Sequence, residues 1–145
     1  MPYNKYAQHR SLRSLDSQKL RFCSPASLIV SPHMKLHRAR QLINDGIDRA
    51  NPMGSLIHVL ESAIELVSLP DNDFCWSSWE SEQEAKQEML ALIGSVKAGV
   101  LPEKLKIAML FAPTGPLQEV SMSSGWADAY LKIADRYDEV ESILW

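Results

Sequence analysis

The sequence predicts an all-α protein, a compact antiparallel bundle of about five helices that carries a disordered basic tail at its N-terminus. From Met34 onward, apolar residues recur at spacings of three and four, which is the period of an amphipathic helix. No strand-like alternation, internal repeat or low-complexity segment competes with this pattern. Short connections between such helices favour an antiparallel bundle.

The net charge changes sign where the helical pattern begins. Residues 1–33 carry five basic residues and one acidic residue, whereas residues 34–145 carry 10 basic and 17 acidic residues. We therefore expect one acidic helical domain over residues 34–145, preceded by a separate basic segment. That segment is expected to be a disordered arm, a targeting segment, or an upstream extension outside the native protein if Met34 is the initiator.

The first helix is expected to run from Pro32 or Met34 to Ala50. We expect Asn51-Pro52 to end it, because the residue before a proline is pushed out of the α region. The second helix is predicted over about residues 55–69 and is apolar almost all round, so it should be the central, most buried helix.

The third helix is expected to begin near Ser77 or Ser81, since each serine is followed three residues later by a glutamate and could form a capping box. Apolar residues then recur along one face of this helix. Gly99 suits the position just past its C-terminus, because glycine takes the left-handed backbone conformation without strain.

Two short helices and one long helix complete the prediction. Pro102 at a first-turn position predicts a short helix through about Met109. Thr114 could cap another short helix that stops at Gly125. The last helix is predicted over Trp126–Leu144, with a regular apolar seam for packing against its neighbours. The seam consists of Trp126, Tyr130, Ile133, Tyr137, Val140 and Leu144.

Part of this C-terminal region resembles a small bacterial domain family of unknown function. The resemblance covers Leu105–Glu139 and rests on Phe111-Ala-Pro-Thr-Gly-Pro-Leu-Gln-Glu119 followed by Gly125-Trp126-Ala-Asp128. These motifs mark helix ends and supply no catalytic residues. The resemblance implies a bacterial, cytoplasmic protein.

The polar stripe of the second helix is the best candidate for a metal or ligand site. His58, Glu61 and Glu65 share one face, and helical bundles build metal sites from such faces. A carboxylate-bridged di-iron site needs Glu-x-x-His on two helices, and the sequence contains no such motif. A solvent-facing stripe on an otherwise apolar helix is the preferred interpretation, so we expect no cofactor and no metal.

Enzymatic activity is not expected. Cys23 and Cys75 are the only cysteines; they could form one disulfide, but they make no metal motif. Acidic neighbours would raise the pKa of the Cys75 thiol rather than activate it. The sequence has neither a nucleophile elbow nor a glycine-rich phosphate loop. No apolar run reaches the length of a membrane span, and a reducing cytoplasm is the simplest location.

The segment between the second and third helices combines aromatic and acidic residues, which is unusual for a connector. One interpretation is a lid that folds its aromatic residues over the end of the bundle. The other is a surface that binds a basic protein, with aromatic anchors among carboxylates. The residues concerned are Asp71, Asp73, Phe74, Trp76, Trp79 and Glu80.

The leading functional hypothesis is a small acidic interaction domain, such as an immunity or regulatory protein that binds a basic protein partner. The alternative is a ligand- or metal-binding bundle that uses His58, Glu61 and Glu65. Nucleic-acid binding by the acidic domain is disfavoured, because phosphate contacts need a basic face.

Overall fold

The computed structural model describes residues 36–145, which form six α-helices and no strand. The expected all-α helical bundle is therefore confirmed. Expectations for residues 1–33, and for a helix start before Leu36, lie outside the described residues. The helices are α1 (His37–Asp45), α2 (Pro52–Val67), α3 (Glu82–Lys97), α4 (Lys104–Phe111), α5 (Pro116–Ser124) and α6 (Ala127–Leu144).

The central helix is α2, as predicted. It packs against α1, α3 and α6, with a smaller contact to α5, and eight of its sixteen residues are buried. It begins at Pro52, because the Asn51 side chain accepts the Gly54 N–H at 3.0 Å and caps it. Pro52 thus opens the second helix, three residues before the predicted start.

The prediction that α1 continues to Ala50 is wrong. The helix ends at Asp45, and Gly46 follows with φ 78°, while its N–H donates to the Leu42 carbonyl at 3.0 Å. A left-handed residue cannot continue a right-handed helix, so the chain turns there. The connection to α2 is then fixed by Ser55, whose hydroxyl accepts the Asp48 N–H and donates to the Asp48 carbonyl, both at 2.9 Å.

The ends of α3 lie at the predicted residues Ser81 and Gly99, but the predicted capping box is incomplete, because the Glu84 carboxylate accepts the Glu80 N–H and not that of Ser81. The Ser81 hydroxyl accepts the Glu84 N–H at 3.3 Å at the N-terminus. At the C-terminus Gly99 takes φ 81°, its N–H bonds to the Val96 carbonyl, and the next N–H bonds to the Ser95 carbonyl. These two bonds define a Schellman motif, which ends the helix with its last carbonyls satisfied.

The predicted cap at Thr114 is wrong. Gly115 precedes α5, and Pro116 begins it, with no side-chain cap. The chain is tight here, because a Cβ on Gly115 would collide with the Met109 carbonyl oxygen. The predicted end at Gly125 is confirmed, with φ 85° at that residue.

The predicted seam of α6 forms one wall of the core. Its first five residues are each at most 5% exposed, and the last, Leu144, is half-buried against the core. Phe111 of α4 stacks on Tyr137 with ring centroids 4.5 Å apart, and the Tyr130 hydroxyl donates to the Phe111 carbonyl at 2.8 Å. Aromatic contacts therefore join α4 to α6. Within residues 36–145 no helix is both long and apolar enough to cross a membrane.

Candidate functional site

The α2–α3 loop, residues 68–81, is held against the corner between α5 and α6. Asn72 makes two of the contacts: its amide nitrogen donates to the Leu66 carbonyl at 2.9 Å, and its amide oxygen accepts the Trp126 indole N–H at 2.8 Å. The Asp73 N–H donates to the Ser124 hydroxyl, also at 2.9 Å. These bonds give a connector without helix or strand a defined position on the domain.

The two aspartates of this loop have different environments. Asp73 is 7% exposed, and its carboxylate accepts the Cys75 N–H at 2.9 Å, which closes a local turn. Asp71 is exposed and has φ 63°, the one positive φ at a non-glycine residue in the described chain. Asp73 thus shapes the loop, and Asp71 faces solvent, where a partner can reach it.

The three aromatic residues of the loop also differ in how deeply they are buried. Trp79 is 2% exposed, belongs to the core, and donates its indole N–H to a Glu88 carboxylate oxygen at 2.5 Å. Phe74 packs against the core but is half-buried, and Trp76 is half-buried. Burial removes Trp79 and Asp73 from the residues available to a partner, whereas Phe74 and Trp76 keep part of their rings accessible.

Acidic residues are frequent in the sequence around Phe74 and Trp76. Residues 71–88 contain six acidic residues and one basic residue, Lys86, which pairs with Glu82 at 2.7 Å. The net charge of this stretch is therefore −5. We define the acidic loop surface as six accessible aromatic and acidic residues of the loop and of the first two turns of α3. It comprises Asp71, Phe74, Trp76, Glu80, Glu84 and Glu88.

The polar stripe of α2 holds the N-terminus of α1. The Glu65 carboxylate accepts the N–H groups of Arg38 and Ala39 at 3.0 and 2.9 Å, so it caps the helix from outside. Glu61 pairs with the Arg38 guanidinium at 2.7 Å, and a His58 ring nitrogen lies 3.0 Å from the Arg38 carbonyl oxygen. The expectation of a merely solvent-facing stripe is wrong, because all three side chains are half-buried and contact α1.

Within the described part of the chain, His58, Glu61 and Glu65 do not belong to a cluster of metal-binding side chains. Among residues 36–145 no group of three or more His, Cys, Asp or Glu side chains is placed to hold a metal ion. His37, the other histidine of the domain, is exposed on α1. The contacts of His58, Glu61 and Glu65 show that the stripe helps to hold α1 on α2.

The opposite end of α1 is held by Arg136 of α6, which the sequence did not single out. Its guanidinium donates to the Leu42 and Ile43 carbonyls at 3.2 and 2.9 Å and to Glu139 at 2.7 Å. A cation at a helix C-terminus satisfies free carbonyls and opposes the negative end of the helix dipole. The sequence signal for this role is the spacing: Arg136 follows the seam residue Ile133 by three positions, which places it beside the core face of α6.

A second cluster of charged groups lies where α4 meets the C-terminal turns of α6. The nearby Tyr137 hydroxyl and then Lys104, 3.2 Å away, lower the pKa of Glu141 from its ordinary value, against the opposing effect of burial. Burial and then Glu141 raise the pKa of Tyr137. Within the described residues the buried Tyr137 hydroxyl makes no hydrogen bond of ordinary geometry, so its interaction with Glu141 is electrostatic. Burial, followed by the nearby carboxylates, raises the pKa of Asp138.

Comparison with known proteins adds no relative: neither family models nor curated proteins nor solved structures match this chain. The resemblance over Leu105–Glu139 stays a prediction from sequence. The possible disulfide between Cys23 and Cys75 involves a residue outside the described range. The candidate site therefore depends on the geometry of the acidic loop surface alone.

Proposed function

We propose that this domain binds a basic protein partner through the acidic loop surface. The observation that supports this proposal is the net charge of −5 over residues 71–88, next to two aromatic rings that remain partly accessible. Such a domain would act as an immunity or regulatory protein in a bacterial cytoplasm. It would neutralise or control its partner by occupying a basic patch.

The two kinds of residue would contribute differently. Exposed carboxylates attract a basic partner and speed the encounter, and salt screens this effect beyond roughly 8 Å at physiological ionic strength. Trp76 and Phe74 would supply the short-range affinity, because large aromatic side chains at the centre of an interface carry most of its binding energy. The hydrogen bonds of Asn72 and Asp73 already order the loop, so little conformational entropy would be lost on binding.

The proposal is tested by comparing what three versions of the full chain bind. The surface variant, Asp71→Asn with Glu80→Gln, removes two exposed carboxylates, and asparagine tolerates the positive φ at position 71. The control variant, Asp45→Asn with Asp135→Asn, removes two exposed carboxylates elsewhere on the domain. Each immobilised protein is exposed to a bacterial lysate at low salt, and the bound proteins are identified by mass spectrometry.

We expect a basic protein to be captured by the wild type and the control but lost from the surface variant. The purified partner should then bind Trp76→Ala at least about tenfold more weakly than the wild type, with the melting temperature measured in parallel. The proposal would be contradicted if all three proteins captured the partner equally. It would also be contradicted if the affinity of the partner changed neither with Trp76→Ala nor with salt.

A further inference from the structure

We propose that residues 1–33 of this chain dock on the acidic loop surface and compete there with a partner. This inference rests on the proposed function, because it assigns a second occupant to the same surface. The segment carries five basic residues and one acidic residue, so its net charge of +4 complements the −5 of residues 71–88. Opposite charges of this size attract across the distances that a tethered segment samples.

The described chain begins at the end of the bundle where this surface lies. The N–H groups of Arg38 and Ala39, in the first turn of α1, donate to Glu65. Glu65 stands two residues before the end of α2 at Val67, and the α2–α3 loop follows directly. Since an α-helix rises about 1.5 Å per residue, Glu65 lies within about one turn of the loop. The described chain therefore begins close to the start of the α2–α3 loop.

The outer side of α3 gives the segment room to bind. Among the described helices α3 packs principally against α2, and the face opposite that contact is exposed. The exposed side carries Glu84 and Glu88 along one edge and the apolar Leu90, which is 54% exposed, along the other edge. The N-terminal segment has the matching chemistry, with basic residues followed by the apolar run Leu28-Ile29-Val30.

Tethering makes even a weak contact effective. An ideal flexible tether of 33 residues would have an end-to-end distance of about 30 Å, which corresponds to an effective concentration on the order of 1 mM. If the segment bound with a dissociation constant of about 100 µM as a separate peptide, it would occupy the surface about ten times more often than leave it empty. Any competing ligand would then bind about tenfold more weakly to the full chain.

The test uses a fluorescein-labelled synthetic peptide with the sequence of residues 1–33 and three versions of the full chain. In the segment variant, four basic residues are neutralised: Arg10→Gln, Arg13→Gln, Lys19→Gln and Arg21→Gln. The matched control removes the same amount of charge at exposed residues of the domain: Arg40→Gln, Lys97→Gln, Lys106→Gln and Lys132→Gln. Binding of the peptide is measured by fluorescence anisotropy at 50 and 500 mM salt.

We expect the peptide to bind the segment variant about tenfold more tightly than the wild type at low salt, and the control no more tightly than the wild type. The difference should disappear at high salt. Carbodiimide coupling within the wild-type chain should join Lys5 or Lys19 to Glu80, Glu84 or Glu88. Equal peptide affinities for wild type and segment variant, or coupling mainly to Asp135 and Asp138 of α6, would overturn the inference.

The outcome is separable from that of the proposed function. If the peptide results hold but the lysate yields no partner, the docking of residues 1–33 stands and the proposed function fails. If the peptide binds none of the three proteins, yet a basic partner is captured through the surface, the proposed function stands and the docking of the segment is wrong.

Discussion

Glu65 offers a sharp test of the packing, because one side chain caps a helix that belongs to another part of the sequence. Its two carboxylate oxygens accept the Arg38 and Ala39 N–H groups at 3.0 and 2.9 Å. Glu61 lies one turn earlier on the same helix and face, and its bond among the described residues is the ion pair with the Arg38 side chain. Glu65→Ala and Glu61→Ala therefore remove the same atoms from α2 but different contacts from α1.

The expected magnitudes differ by several-fold. Loss of a helix N-cap typically costs about 1 kcal/mol, and here one carboxylate serves two N–H groups and the positive end of the helix dipole. The Arg38 N–H can regain water, whereas the Ala39 N–H is partly buried, so we expect Glu65→Ala to cost about 2–3 kcal/mol. The Glu61 ion pair is solvent-exposed on the arginine side at 52%, so its loss should cost about 0.5 kcal/mol.

The assay is urea unfolding of the full chain followed by tryptophan fluorescence and circular dichroism, with thermal melts in parallel. For a domain of this size about 4 °C of melting temperature corresponds to 1 kcal/mol, so Glu65→Ala should melt about 8–12 °C below the wild type. Glu65→Gln, which keeps one acceptor oxygen, should fall between. Similar losses for Glu61→Ala and Glu65→Ala would refute the assignment of Glu65 as the cap of α1.

Three further predictions address the core, the electrostatics and the backbone. Trp79→Ala should destabilise the fold by about 3–5 kcal/mol in urea unfolding, because this side chain is 2% exposed, and Trp79→Phe should cost clearly less. Because the pKa of Glu141 is lowered in the folded protein, its ionised form stabilises the fold above its unfolded pKa, and this stability is lost as the pH falls through the folded pKa. Tyr137→Phe should therefore make the free energy of unfolding less dependent on pH between about pH 5 and pH 3, measured by unfolding across that range. A Cβ on Gly94 meets nothing within 4 Å, whereas one on Gly115 meets backbone carbonyls, so Gly94→Ala should stabilise by about 0.5–1 kcal/mol and Gly115→Ala should destabilise. A change in the free energy of unfolding of the opposite sign in either variant would contradict the backbone packing described at that glycine.

Local signals in the sequence predicted those parts of the fold that depend on neighbouring residues. The capping of α3 by Ser81 and its end at Gly99 follow from side chains and backbone freedom within a few positions. The seam of α6 follows from periodicity alone. Gly46 was not recognised as the end of α1, because apolar residues continue past it at helical spacing and mask the break.

The candidate site was harder to predict, because burial within the loop depends on distant partners. Trp76 and Trp79 are the same residue type three positions apart, yet only Trp79 enters the core, where Glu88 accepts its indole N–H. Glu65 appeared to be one of a solvent-facing set, since its partners on α1 lie 26 and 27 residues away in the sequence. Composition could indicate the charge of the surface but not which side chains form it.

The way in which α1 is held has a consequence for the order of folding. Its N-terminus is capped by α2, and its C-terminus is capped by Arg136, which lies 94 residues after its partner Leu42. A nine-residue helix is too short to be stable alone in water, so α1 must wait for both caps. Contacts of such long sequence separation form late, because the loop they close is entropically costly.

During synthesis, therefore, α1 leaves the ribosome before the other described helices but should be among the last of them to become ordered. Arg136 lies 94 residues after Leu42, so its guanidinium can reach α1 only after the intervening helices have been synthesised. Until then the free carbonyls of α1 and the apolar face of α2 that it covers stay open to water or to a chaperone. Among the described helices, α1 should therefore be the one whose amide hydrogens exchange first when the native protein opens locally.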